Sequence, residues 1–102
     1  MEYANIELRL SNSMLNTITK TVTAPEARIL EHLNGEGSVI IMNILGTVGH
    51  TDRAERERIT VLYGKEGLDR CYPGAAQLHK TFLEAGFEGR IPESSKKSKT
   101  LN

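Results

Sequence analysis

The chain has one cysteine, Cys71, no tryptophan, and only three tyrosines and two phenylalanines in 102 residues. A lone cysteine excludes an internal disulfide framework and fits a reducing compartment. So few aromatics argue against a surface that stacks single-stranded bases, which needs several of them alternating along strands. Lysine plus arginine and aspartate plus glutamate stand at 13 each, so no overall field draws the chain to nucleic acid or to membrane lipid. No apolar run approaches the ~20 residues that cross a bilayer. The opening Met1-Glu2-Tyr3-Ala4-Asn5 is acidic and lacks the apolar segment of a secretory signal. The expectation is a soluble, cytoplasmic protein of one domain.

The helix signals are the clearest positive feature. Thr23 and Glu26 stand in the T-x-x-E spacing of a capping box, which satisfies two orphan backbone donors at a helix start. Pro25 falls in the first turn, where its missing N–H costs nothing. Ile29, Leu30 and Leu33 form an apolar stripe, and Gly35 supplies the stop.

Before this helix, Ala4, Ile6, Leu8 and Leu10 alternate with polar residues, the period of a half-buried strand. The turn residues Ser11-Asn12-Ser13 and a Thr-rich run from Leu15 to Val22 complete a hairpin. One face of that hairpin is polar, so the sheet is expected to be covered on one side. After the helix, Val39 to Leu45 is apolar at nearly every residue, which predicts a strand buried on both faces or central in the sheet.

A second helix is predicted from Thr51 or Asp52 to Tyr63, ending at Gly64, with Asp52-x-x-Glu55 as a second capping box. Its stripe is Ile59, Leu62 and Tyr63, and its charges (Arg53 with Glu57, Glu55 with Arg58) read as a solvated outer face. Gly67 to Gly74 reads as a loop, and a third helix is predicted over Ala75–Ala85, stopped by Gly86. From Arg90 the composition turns polar and basic, which predicts a disordered tail. The fold class is therefore α+β: a hairpin plus a third strand packed against two or three helices. Residues 1–89 form the domain and 90–102 the flexible basic tail. One core is expected to hold Leu8, Ile18, Ile29, Leu30, Leu33, Ile40, Met42, Ile44, Leu62, Leu78 and Phe82.

The candidate chemistry is sparse. His32, His50 and His79 stand in no C-x-x-C or H-x-x-x-H pair, so no metal or cofactor is expected. His32 sits where an imidazolium suits a helix C-terminus. Glu26, Glu31, Asp52 and Glu55 have capping or surface explanations, and Gly46-Thr47-Val48-Gly49 lacks the spacing and lysine of a phosphate loop. The sharpest enzymatic idea is a Cys71 nucleophile served by His50 or His79. A winged-helix frame over Thr23–Thr51 is the nucleic-acid alternative, with Arg53, Arg56, Arg58, Lys96, Lys97 and Lys99 as phosphate contacts. Glu55 and Glu57 interleave those arginines and weaken that field.

The order of punctuation resembles a group of small accessory proteins of tailed bacteriophages. Val22, Thr23, Glu26 and Gly35 mark its helix, Tyr63-Gly64 its charged helix end, and Tyr72-Pro73-Gly74 its turn. Thr81, Phe82, Glu84, Ala85 and Gly86 close the pattern, which spans about residues 15–87; His79-Lys80 stands where the group tends to have Leu-Pro. The resemblance implies a non-catalytic protein of an infected bacterial cytoplasm that binds a host or phage macromolecule. Inhibition of a host nucleic-acid enzyme or defence complex would suit its size. The expected partner is a protein, and the resemblance carries no site residues with it.

Overall fold

A computed structural model describes residues 1–74 and 76–92. Strand β1 (Glu2–Arg9) buries every second side chain, as the period of 2 requires. A single 3-10 turn, Leu10–Asn12, leads into β2 (Thr17–Thr23). Helix α1 (Ala24–Asn34), β3 (Val39–Thr47), α2 (Asp52–Tyr63) and α3 (Lys65–Cys71) follow in order. The strands form an antiparallel sheet in the order β2-β1-β3. The fold is α+β: a three-stranded antiparallel sheet packed against three helices.

Two buried clusters hold these elements together. Ala4, Ile6, Leu8, Val22, Val39 and Ile41 from the sheet meet Ala27 and Leu30 of α1 and Phe82, Ala85 and Phe87 from the last described segment. Ile29, on another face of α1, joins Ile59, Leu68, Tyr72 and Leu78. Helix α1 is thus shared by both clusters, and Tyr63 packs against each. The expected single core is two clusters, because α1 is apolar on more than one side.

The capping box of α1 forms as its spacing predicts, with Thr23 as N-cap and the reciprocal Glu26 bond. The hairpin also forms, with Ala4 opposite Val22 and Leu8 opposite Ile18. Several expectations are overturned. β1, not β3, is central; β3 lies at the sheet edge, and Met42 and Leu45 are exposed. An apolar run therefore did not mean burial on both faces, since the core covers one face of the sheet. Ile18, Leu33 and Leu62 are exposed as well, while Ile40 and Ile44 are half-buried. Residues 39–47 pair with β1 instead of forming a wing.

The third helix is misplaced most. The expected loop over Gly67–Gly74 begins inside α3, while residues 76–80 are irregular and 81–86 form turns; Ala75 lies outside the described residues. Gly67 costs helix propensity; it faces α1, where a Cβ would meet Ile29 Cγ2 at 3.4 Å and Leu33 Cδ2 at 3.5 Å, ordinary packing distances. In the later segment, backbone donors that a helix would satisfy internally go to carboxylates instead. Leu78 N donates to Asp52, Phe82 N to Glu2 and Lys80 N to Glu84. Leu78 and Phe82 are buried as expected, from a looped backbone.

Residues 90 and 91 stand at the start of the expected tail. Arg90 forms a two-bond ion pair with Glu31 and lies 5.1 Å from the Phe87 ring centre, and Ile91 packs on the sheet cluster. Lys96, Lys97 and Lys99, with the rest of the predicted tail, lie outside the described residues.

Ile6→Ala and Leu30→Ala should each cost about 2–5 kcal/mol, as buried large-to-small changes do. Ile18→Ala and Leu62→Ala should stay within ~0.5–1 kcal/mol. Urea unfolding of the four variants checks the two classes; equal losses would contradict the observed burial.

Candidate functional site

Where β2 ends and α1 begins, two glutamates are almost completely buried: Glu26 is 1% exposed and Glu55 0%. Glu26 arrives there as the N3 residue of the capping box. Glu55 is delivered by α2, where it shares the inward face with Ile59 and Tyr63 at spacings of four. Burying two carboxylates is costly unless each is paired and hydrogen-bonded. Arg58 supplies the cation, and four other groups supply donors.

Arg58 Nη2 donates to Glu26 Oε1 at 2.5 Å and to Glu55 Oε2 at 2.6 Å, while its Nε donates to Glu55 Oε1 at 2.9 Å. The Tyr63 hydroxyl donates to Glu26 Oε2 at 2.5 Å. Thr23 works in both directions: its hydroxyl donates to Glu55 Oε2 at 2.5 Å and accepts from Glu26 N at 3.4 Å. Thr23 N donates to Glu26 Oε1 at 3.3 Å. His50 Nδ1 lies 2.8 Å from Glu55 Oε1; since an ionised carboxylate only accepts, that nitrogen carries the proton. Every carboxylate oxygen has at least one donor.

The electrostatics agree with this geometry. Burial pushes the Glu55 carboxyl up, but hydrogen bonds from Arg58, Thr23 and His50 outweigh it and hold the group below its ordinary value. The Arg58 guanidinium is pushed up, chiefly by its bond to Glu55. Burial and the Glu26 carboxylate together raise the Tyr63 phenol, which stays protonated as a donor. A crevice of about 170 Å³ beside the cluster is lined by Tyr3, Thr21, Val48, His50 and Arg58, among others. Ligand pockets run to about 300–1,000 Å³, so this one is small. The arrangement ties β2, α1, the 48–51 link and α2 together; its carboxylates are committed to structure.

The capping box expected at Asp52-x-x-Glu55 does not form. Thr51 is the N-cap of α2, accepting from Ala54 N at 3.1 Å, and Glu55 turns inward. Asp52 instead pairs with Lys80 and accepts from Leu78 N, which together hold its carboxyl low. Glu55 and Glu26 are therefore not surface groups. Of the predicted arginines, Arg58 belongs to the cluster and Arg56 donates to the carbonyls of Tyr72 and Ala76. Arg53 is exposed and pairs with Glu57 at 3.6 Å.

Cys71 has neither proposed histidine partner at hydrogen-bond distance: His50 faces Glu55, and His79 Nδ1 lies 2.8 Å from the Tyr72 hydroxyl. Burial pushes the Cys71 thiol up, with Arg28 partly opposing it. Among the described residues no three His, Cys, Asp or Glu side chains converge as a metal site. No described helix is long and apolar enough to cross a membrane.

A second feature went unnoticed in the sequence. The turn between β1 and β2 exposes the consecutive residues Met14 (76%) and Leu15 (94%), and Leu10 and Ile18 at the flanking strand ends are exposed as well. The turn is cross-tied: Leu10 N donates to Asn16 O at 2.7 Å, Ser13 N to Leu10 O at 3.0 Å, and Ser11 N to Asn34 Oδ1 of α1 at 2.9 Å. Ser11 holds φ 51°, a conformation uncommon for a residue with a side chain. The absence of any charged residue from Leu10 to Thr19 was the available signal.

Arg58→Met should lose about 3 kcal/mol, since it strands two buried carboxylates; Arg53→Met should lose no more than ~0.5 kcal/mol. Denaturant titration of both at neutral pH compares them. The Glu55 contribution to stability is full above its ordinary 4.5 and is lost as pH falls through the lower value of the folded state. The Tyr63 contribution is full below 10.0 and is lost as pH rises beyond it. Unfolding across pH should therefore show an acid limb that Glu55→Gln flattens and an alkaline limb that Tyr63→Phe flattens. Comparison with protein-family models, curated proteins and solved structures gives no match.

Proposed function

We propose that this chain is a non-catalytic accessory protein, of the kind found in tailed bacteriophages, that docks its folded surface on a partner protein. The observation carrying this reading is the hydrogen-bonded turn that holds Met14 and Leu15 in solvent. Large apolar side chains clustered in solvent mark interaction sites when they form a patch. A pre-tied turn loses little conformational entropy on docking, so more of its contact energy remains as affinity. A partner with an apolar cleft fits this tip, and a host nucleic-acid enzyme or defence complex remains the class of target. The buried carboxylate cluster supports the same reading, because its groups are committed to holding α1 and α2 together.

The nucleic-acid reading has less support. Arg56 and Arg58 spend their guanidinium groups on internal acceptors. A continuous basic face is what phosphate binding needs.

The test is retention of a partner from infected-cell lysate on immobilised protein, with variants run side by side. Met14→Asp with Leu15→Asp should abolish retention, whereas Val61→Asp on α2 and Cys71→Ser should leave it intact. Binding should weaken little between 50 and 200 mM salt, on the order of severalfold and far from the ~10³-fold loss of a phosphate-dominated interface. Loss of effect with Cys71→Ser in a folded protein would move the function to Cys71. A steep salt dependence would move it to nucleic acid.

A further inference from the structure

A groove of about 460 Å³ opens between the second half of α1, the end of α3 and the turn at 85–90. Its volume lies within the range of small-ligand sites. Three arginines line it, together with the carboxylates Glu31 and Glu36, and the arginines are not equivalent. Arg90 is neutralised by its two bonds to Glu31. Arg70 has only the exposed Glu66 at 3.6 Å, and its place in the last turn of α3 suits the helix dipole. Arg28 has neither explanation.

Arg28 lies in the body of α1, where no helix end calls for a cation. Its natural i, i+3 partner, Glu31, is taken by Arg90. Among the described residues Arg28 makes no ion pair, and one hydrogen bond runs from its Nη1 to Ala85 O at 3.4 Å. The guanidinium lies against the backbone of Gly86, whose φ of +98° favours glycine and where a Cβ would come within 3.1 Å of Arg28 Nη1. The guanidinium is thus laid across a glycine turn with most of its donors unspent. Cys71 is half-buried on the same wall.

We infer that this groove is an anion site for a compact phosphorylated small molecule, held by Arg28 and Arg70. Arginine presents a planar fork that matches phosphate oxygens. The site is separate from the apolar tip, so either can fail without the other.

Cys71, the chain's only cysteine, is a built-in reporter. The experiment measures alkylation of Cys71 in the full chain by neutral iodoacetamide, with inorganic phosphate or pyrophosphate added at constant ionic strength set by potassium chloride. Saturable protection by pyrophosphate is expected, with inorganic phosphate weaker and chloride inert. Arg28→Gln and Arg70→Gln should each raise the midpoint by about tenfold, the worth of one charge-assisted contact. Both arginines are exposed, and a thermal scan confirms folding; should Arg28→Gln unfold the chain, Arg70→Gln decides alone. Absence of protection by ~10 mM pyrophosphate, equal protection by chloride, or an unmoved midpoint in folded variants would overturn the site. Protection by an oligonucleotide lacking a terminal phosphate, but not by pyrophosphate, would also overturn it.

Discussion

Arg58 is the residue on which the arrangement of helices depends. One guanidinium reaches both buried glutamates, and neither carboxylate has another cation of full charge within reach among the described residues. Without it, α2 would present a carboxylate to the first turn of α1, which already carries one. With it, β2, α1 and α2 meet at a single point, and Thr23 and Tyr63 complete the coordination of the oxygens. Such a centre is a poor source of net stability compared with an apolar core, yet costly to break. Its effect is to set where α2 lies.

That placement has consequences on both sides of α1. Ile59, one turn beyond Glu55 on α2, enters the cluster with Ile29, Leu68 and Tyr72, and the Gly67 backbone of α3 packs against Ile29 and Leu33 of α1. Asp52, at the start of α2, holds the looped segment through Leu78 N and Lys80. The same segment then carries Phe82 and Phe87 under the sheet. A looped chain takes the place of a helix because acidic side chains from β1 and α2 satisfy its backbone donors.

Local signals were legible in the sequence where local physics decides the outcome. The Thr23–Glu26 box, the Gly35 and Gly64 stops and the β1–β2 hairpin follow from spacing alone. Strand β3 misled because an apolar run reports only the capacity for burial, and sheet order decides how much is used. The third helix was misread because Ala, Leu and Phe at helical spacing also suit a loop that buries the same residues. Of the candidate site, the Glu55–Arg58 spacing was visible, and so was the stripe of Ile59 and Tyr63. That Glu55 lies on this stripe was the missed sign: a carboxylate on an apolar face needs a buried partner. Its meeting with Glu26, 29 residues earlier in the chain, is a tertiary fact that no local pattern carries. Leu15, now seen exposed beside Met14, reads in the sequence as the start of the strand that runs to Val22, because only burial distinguishes the two.

Whether Arg58 places α2 can be read from the coupling between Glu26 and Arg58. A double-mutant cycle with Glu26→Gln, Arg58→Met and the pair isolates that interaction from the packing each residue also makes. A coupling of about 2–3 kcal/mol is expected at neutral pH, near the top of the range for contacting residues. A coupling below ~0.5 kcal/mol, with the two losses simply adding, would mean that α2 is held in place without the ion pair.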